Sequence, residues 1–596
     1  MASLSFIAAK NVLGQIIKKG DFSPSFLAVL KRRAAKKYQT QFFTNAELIK
    51  VYHKLLANGK LSRNERLEKL LRRRAIRTLS GVAVVTVLTS PRPWGRGKPS
   101  SCPGRCLYCP DEKGMPKSYL KNEPAASRAF LTNFDPMTQV KTRIKALAMN
   151  GHATDKIELI ILGGTWSAYP KNYQYWFVKE CFRAANAANS KINPVLNTGQ
   201  KSKIFRFHRE SSTKSGQFKI QNLLKLLKQE QRKNETAKHR IVGLTLETRP
   251  DYINLEEIKK MRDLGGTRVE LGVQSIYDDV LKKNRRGHKI ADTIRATRLL
   301  KDAGFKINYH LMLNLPGSSP RRDFKMFKKL FSDSNFQPDL LKIYPCLVLA
   351  TAPLYKIWKR GGYQPYTEKQ LTNLLLKIKK IIPPYVRIQR IVRDIPKESI
   401  MAGCKVSNLR QIIDNSGKKI CRCIRCREIR GQYSSSDKIK LFRRDYEASG
   451  GKEIFLSFED PKQKKLYALL RLRIPKIPPN LPFKKGGKLP PLKKEGWGGF
   501  YKNSETPTVS DYIPVLRHAA LIRELHTYGS LVPIDKKEKQ KAQHTGLGKK
   551  LMAQAERIAK EEFGLNKIAV ISGVGVRRYY RNLNYGLKDE YMVKVI

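Results

Sequence analysis

Residues Ser101 to Ala129 read SCPGRCLYCPDEKGMPKSYLKNEPAASRA, and three cysteines, Cys102, Cys106 and Cys109, fall at the front of that stretch. Three is an unusual number of thiols. A closed zinc site takes four protein ligands, and a disulfide framework takes an even count. Three thiolates can instead hold three irons of a 4Fe–4S cluster and leave the fourth iron open to a small molecule. The cysteines follow an apolar run, SGVAVVTVL (Ser80 to Leu88), and are interleaved with Pro103, Gly104 and Pro110, so they lie on a loop leaving a strand. A loop can curl three thiolates around one corner of a cubane, which a straight helix cannot do. The competing reading is zinc, completed by a remote His or Cys.

Outward from this loop, short apolar runs recur, each followed by a helical stretch: IELIILGG, IVGLTLETRPD, TRVELGVQS, KINYHLMLNLPG and LLKIYPCLVL. Strands alternating with amphipathic helices predict parallel βαβ units and a complete or partial α/β barrel. Chemistry in such barrels gathers at the C-terminal ends of the strands. Residues 1 to about 78 instead alternate apolar and basic positions at helical spacing, as in LEKLLRRRAIRTL, which predicts a small helical unit with a cationic face. Two segments break the rhythm. Asn189 to His239 reads as a solvent-exposed insertion, and Ile474 to Pro507, rich in Pro, Gly and Lys, as a mobile loop that buries no core.

Lys and Arg number 118 against 49 Asp and Glu, a formal charge of +69 on 596 residues. Such an excess repels itself unless a polyanion is near, so nucleic acid is the leading partner class. A generally cationic surface is the plainer alternative. Nine cysteines are too few for a disulfide scaffold, and six of them sit in two tight groups, which points to metal binding in a reducing compartment. The start MASLSFIAAKNVLGQIIKKG lacks signal-peptide architecture, and no run approaches the ~20 apolar residues of a membrane span. The expected location is cytoplasmic.

The second group is Cys421, Cys423 and Cys426, with Cys404 upstream. Four thiolates would close a structural zinc site, and a His could replace Cys404. Cys181 and Cys346 lie in apolar contexts and are expected in the core. Farther on, QHTGLGKKLMAQAERIAKEE (Gln543 to Glu562) is a Gly-rich turn opening an amphipathic helix, whose N-terminal N–H groups suit a pyrophosphate. LIRELHTYGS before it reads as a strand. KIAVISGVGVRRYYRNLNYG after it reads as strand, turn and helix, and carries Tyr579 and Tyr580.

The Cys-x3-Cys-x2-Cys spacing, with Tyr108 before the last cysteine, resembles that of radical S-adenosylmethionine (AdoMet) enzymes, and the Gly-rich turn resembles that of GNAT acetyltransferases. ILGGTW resembles the Gly-Gly-Glu strand that holds the AdoMet amino group, implying Gly163 and Gly164, with Thr165 where Glu is commoner. Both halves together, with CPGRCLYCP, SYLKNEPAASRA, FDPMTQVKTRI, LETRPD, ELGVQS, LKIYP, RDIP and ISGVGVRRYY, resemble the Elongator catalytic-subunit family in its single-chain form. The resemblance implies an α/β chain built from a basic tRNA-binding helical extension (1–78), a partial (β/α) barrel of radical AdoMet type (79–385), a zinc-binding linker (386–440) and an α+β GNAT domain (441–596).

It further implies an acyltransferase that forms 5-carboxymethyluridine at the wobble uridine of tRNA. A 5′-deoxyadenosyl radical takes hydrogen from the acetyl methyl of acetyl-CoA, the carbon radical adds to uridine C5, and thioester hydrolysis follows. Cys102, Cys106 and Cys109 would hold the cluster. Lys156, Glu524, Leu525, His526, Thr527, Gln543, Gly546, Leu547, Gly548 and Lys549 would bind acetyl-CoA, and Tyr580, with Tyr579 beside it, would stand next to the thioester. Cys404, Cys421, Cys423 and Cys426 would hold zinc. The implied partners are tRNA, an unidentified electron donor, and a second copy or Elongator-like proteins. Two rival readings are a protein lysine acetyltransferase with a merely structural cluster and a catalytically silent RNA-binding protein. The charge opposes the first, since a strongly cationic surface repels a lysine-rich tail.

Overall fold

The computed structural model describes every residue except 1–3, 42, 73–77, 79, 94–100, 188–213, 416–420, 431–432, 435, 476–506 and 530–545. Gln543 and nearly all of the loop expected at 474–507 therefore lie outside the described residues.

Four helices, Leu4–Lys19, Pro24–Lys37, Asn45–Ala57 and Glu65–Leu71, open the chain. Apolar residues three and four apart give each a buried stripe: Ala8, Ala9, Val12, Leu13 and Ile16 in the first. Ser23 and Asn64 cap two of these helices, and Thr44 with Glu47 forms a capping box on a third. Their stripes close on one another in a core of their own around Leu30, Leu48, Tyr52 and Leu67. Lys10, Lys18, Arg32, Arg33, Lys36 and Lys50 are left exposed on the outside.

The first sheet has seven parallel strands: β1 (Ala83–Leu88), β2 (Lys156–Leu162), β3 (Arg240–Thr248), β4 (Arg268–Gln274), β5 (Lys306–Leu313), β6 (Leu340–Pro345) and, after the two-residue β7 (Val348–Leu349), β8 (Arg387–Arg390). They follow one another in sequence order from β1 to β8, the arrangement of a curled half-barrel. Parallel strands buried on both faces are normally apolar throughout. These strands instead alternate. Ile157, Leu159, Val269, Leu271, Ile307, Tyr309, Leu341 and Ile343 pack into the core with the flanking helices. The residues between them, Glu158, Arg268, Glu270, Asn308, His310 and Lys342, meet one another on the opposite face. That face is a polar lumen.

Helix Lys214–Asn234 packs Leu227 into the barrel core and bonds Asp263 through Gln231 and Lys228. The second half of the expected exposed insertion is thus a covering helix of the barrel: its leucines at 223, 224 and 227 fall on one face. The first sheet also runs past the boundary expected at 385, because β8 pairs in parallel with β6.

β9 (Ile400–Ala402) pairs with β7. The C-terminal sheet is formed by β10 (Lys440–Ala448), β11 (Gly451–Glu459), β12 (Leu466–Ile474), β13 (Ala520–Thr527), β14 (Lys567–Val570), β15 (Gly586–Lys588) and β16 (Tyr591–Val595), in the order β10-β11-β12-β13-β14-β16-β15. All neighbours are antiparallel except β13 and β14. This sheet docks on the end of the half-barrel where strands begin. Gly573 lies against the Val242 carbonyl, His526 bonds the Ser80 carbonyl, and Lys306 pairs with Glu524 at 3.2 Å. No helix among the described residues is long and apolar enough to cross a membrane.

Candidate active site and metal centres

The cysteine loop sits at the other end of the half-barrel, where strands finish. Its Ser101 carbonyl accepts from Thr165 N at 2.7 Å just beyond β2, Leu107 N donates to Asn284 O, and Asp111 N donates to Thr351 O. Gly164 (φ +104°) makes this docking possible, since a Cβ there would lie 2.3 Å from the Ser101 oxygen. Gly164 therefore seats the loop itself, while Gly163 (φ +135°) lets the end of β2 close on Thr89 just beyond β1. Thr165, which stands where Glu was expected, donates its hydroxyl to the Cys102 sulfur at 3.1 Å.

Two of the three thiols flank Gly104: a Cβ on that glycine would be 3.4 Å from Cys102 Sγ and 3.6 Å from Cys106 Sγ. Burial, Cys106 and Cys102 together push the Cys109 thiol up to about 12. Three thiolates in this place need a cationic group to ionise against. Arg286 supplies one contact, with Nη1 3.6 Å from Cys106 Sγ, and Arg249 another, close to Gly104 and Gly287. Beside these two arginines His288 is buried, with its ring against the Val273 backbone. Burial and the two guanidinium charges drive its pKa down to about 2, so the ring is neutral. Sequence spacing had no means of finding Arg286 or His288, which lie some 180 residues from the cysteines; the run NRRGHK after β4 was their only trace.

The two cysteine groups differ in width. Among the described residues, Cys421, Cys423 and Cys426 bring their sulfurs within 4.8 Å of one another, and Cys423 and Cys426 are 3.6 Å apart. That suits one tetrahedral ion, whose thiolates stand about 3.8 Å apart for Zn–S bonds of about 2.3 Å. The N-terminal triplet does not meet that limit, as a cluster with iron at separate corners requires. Cys404 does not join the tight set. It is buried as part of the hydrophobic core cluster that also holds Leu409 and Ile413. Cys181 and Cys346 are buried, as core residues.

In the C-terminal domain, β13 and β14 pair only over Ala520–Ile522 and Ile568–Val570. Beyond that they diverge, and a bulge opposite Arg471 and Leu472 re-aims β13. Glu524, Leu525, His526 and Thr527 line the divergent part. The Glu524 side chain is committed to Lys306 and Arg471. Burial would raise its carboxyl, but these two cations outweigh it and bring it down to about 2. Such a group is no proton acceptor near neutral pH. Helix Leu547–Glu561 starts after Gly546 (φ +76°), with Lys549 exposed in its first turn. A Cβ on Gly548 would lie 3.0 Å from the Tyr579 hydroxyl and 3.7 Å from Thr527 Oγ1. Tyr579 therefore faces the helix start, whereas Tyr580 is 5% exposed and packs on Tyr585. Lys156, the first residue of β2, lies at the docked end of the half-barrel in register with Arg240, and burial pushes its pKa down.

Family models match the half-barrel part of the chain, and relatives match most of its length. Residues 99–330 match the Radical SAM superfamily and residues 338–419 its C-terminal domain. The tRNA uridine(34) acetyltransferase of Methanocaldococcus infernus is 44% identical over 542 residues, covering 88% of each chain. Elongator complex protein 3 of Schizosaccharomyces pombe is 35% identical, covering 100% of this chain and 99% of that one. The solved structure of the archaeal Methanocaldococcus infernus Elp3 with an N-terminal deletion superposes with a TM-score of 0.64 at 41% identity, covering 87% of this chain and all of that one. The loop of three thiols, the half-barrel beneath it and these relatives together place the chain in the radical SAM family of tRNA uridine(34) acetyltransferases and Elongator complex protein 3.

Proposed function

We propose that this protein converts the wobble uridine of tRNA to 5-carboxymethyluridine, taking the two carbons from acetyl-CoA. What supports the reading is the position of the three-cysteine loop at one end of a polar lumen and of the Gly546–Lys549 helix start on the sheet docked at the other end. When bound to Cys102, Cys106 and Cys109, a 4Fe–4S cluster would supply the electron that cleaves AdoMet and starts the radical chemistry. Arg286 and Thr165 hold the cysteine loop in shape for it, and Gly164 lets that loop dock on the end of β2, where AdoMet would bind.

Acetyl-CoA enters between β13 and β14. Backbone N–H groups of Leu547, Gly548 and Lys549 face its pyrophosphate at the helix start, the strand edge at Glu524–Thr527 binds the pantetheine, and Lys156 reaches it from the half-barrel. Tyr579 stands beside the thioester as acetyl-CoA enters, before its acyl end passes into the lumen. The helices at Leu4–Leu71 offer a cationic outer surface to the tRNA backbone, so affinity should fall steeply with salt. Cys421, Cys423 and Cys426 hold zinc, with the fourth position taken from outside the thiol set. A cytoplasmic location and an external electron donor belong to the same reading.

The test is anaerobic reconstitution with iron and sulfide, then incubation with tRNA, acetyl-CoA, AdoMet and a reductant, and mass spectrometry of the nucleosides. Carboxymethylated uridine is expected. Acetyl transfer to protein that persists in Cys109→Ala, with no uridine product, would favour the lysine-acetyltransferase reading. Two further outcomes follow. Tyr579→Phe should lower kcat/KM for acetyl-CoA by about 10-fold, the worth of one hydrogen bond, with tRNA affinity unchanged; Tyr580→Phe should do less. Cys423→Ser should cost the protein its zinc while iron content stays constant, as read by elemental analysis.

A further inference from the structure

Inside the lumen, midway between the two ends, one histidine is built as a base. His310 on β5 places Nε2 2.8 Å from Glu270 Oε2, while Nδ1 lies 3.5 Å from Glu247 Oε1, too far for a good direct bond. Glu270 is fully buried and anchored by Lys342 and by Asn308, which is itself held by Gln389. Burial would raise the Glu270 carboxyl, but Lys342 and the His310 bond hold it well below the usual carboxylate range. It therefore accepts the Nε2–H, fixing the tautomer that leaves the Nδ1 lone pair open. Glu247 is held from the opposite side by the Tyr119 hydroxyl at 2.7 Å, and Tyr119 belongs to the segment that follows the cysteines. Nδ1 and Glu247 Oε1 stand 3.5 Å apart, so one water set to the side of the pair can contact both. An orienting carboxylate, an imidazole and an open nitrogen form the arrangement by which a buried acid holds a general base in place.

Resting on the reading above, we infer that His310 is the general base for the hydrolytic step, and that Glu270 is its positioning residue. The acyl adduct joins uridine at the cysteine end to CoA at the opposite end, so its thioester carbonyl must lie within the lumen, at the level of His310. A water bound by Nδ1 and Glu247 attacks the carbonyl carbon as Nδ1 takes its proton. The C–S bond then breaks, and the proton passes to the departing CoA thiolate. The products are the carboxymethyl group and free CoA, with no net change of oxidation state.

The experiment compares wild type with His310→Gln, whose amide can keep the Glu270 contact but offers no base, and with Glu270→Gln, using the reconstituted full-length protein. Hydrolysis should slow by about 100-fold or more in His310→Gln, while 5′-deoxyadenosine is formed at the wild-type rate. The tRNA should accumulate uridine carrying a CoA thioester, seen as an added CoA mass that hydroxylamine removes as a hydroxamate. Glu270→Gln should accumulate the same adduct to a smaller extent. Carboxymethyluridine formed by His310→Gln at the wild-type rate would overturn the assignment. So would equal loss of deoxyadenosine, adduct and product in both variants with unchanged thermal melts. Absence of carboxymethyluridine from the wild type run in parallel would overturn the reaction itself, and the assignment with it.

Discussion

Cys106→Ala is expected to lose its iron and all uridine modification while tRNA affinity stays within about twofold of wild type, because phosphate contacts set that affinity. Cys106 is 4% exposed and is the thiol that Arg286 touches. Its removal leaves a buried guanidinium hydrogen-bonded, among the described residues, to the Gly272 carbonyl, and it would remove one of the three proposed cluster ligands. The cationic helices at Leu4–Leu71 have their own core and do not depend on the loop. Metal analysis, nucleoside mass spectrometry and tRNA binding at several salt concentrations separate these effects. Modification retained in this variant would refute the cysteine assignment, and parallel loss of tRNA binding would indicate that the variant had unfolded.

Asp339→Asn should destabilise the whole chain by about 3–5 kcal/mol, as expected when one partner of a buried ion cluster is removed. Asp339 precedes β6 and is fully buried. It receives Arg523 at 2.5 and 3.1 Å and lies 3.5 Å from Arg471 and 3.7 Å from Lys301. Glu453 binds the same Arg523 at 2.8 Å, and Arg473 reaches Asp302 at 2.6 Å. Three arginines of the C-terminal sheet are thereby fastened to carboxylates of both domains. Burial would raise the Asp339 carboxyl, but Arg523, Lys301 and Arg471 outweigh it and hold it far below its ordinary value. Its stabilising contribution is therefore complete above the unfolded pKa of about 3.9 and is lost as pH falls below that. Urea unfolding at pH 7 should show a single transition for wild type and an earlier one for Asp339→Asn, and the difference between them should shrink below pH 4. Equal stability at pH 7 would refute the proposed role of this cluster.

The elements that local pattern dictates were readable in the chain. The βαβ rhythm, the cysteine loop after β1 and the helix opening at Leu547 each occupy one contiguous stretch with its own turn and cap residues. What escaped was set by contacts between distant segments. TRVELGVQS and KINYHLML read as apolar strands, yet their alternate residues Arg268, Glu270, Asn308 and His310 meet in the lumen only after the sheet curls. Cys404, 17 residues upstream of the thiol group, is buried in the core cluster, a placement its sequence position does not reveal. Tyr579 and Tyr580 are indistinguishable by pattern, and helix phase alone turned the first toward Gly548 and the second inward. The covering helix at Lys214–Asn234 was hidden by its many lysines and glutamines, since Ile220, Leu223, Leu224 and Leu227 alone, among its described side chains, pack on the core.

The central claim, an iron left open by three thiolates, is tested most directly by metal content and electron paramagnetic resonance of protein purified without oxygen. About four irons and four sulfides per chain are predicted, together with zinc at the second cysteine group. The signal of the reduced cluster should change when AdoMet is added and should be missing from Cys106→Ala. Zinc in place of iron at Cys102, Cys106 and Cys109, or a cluster signal indifferent to AdoMet, would contradict it.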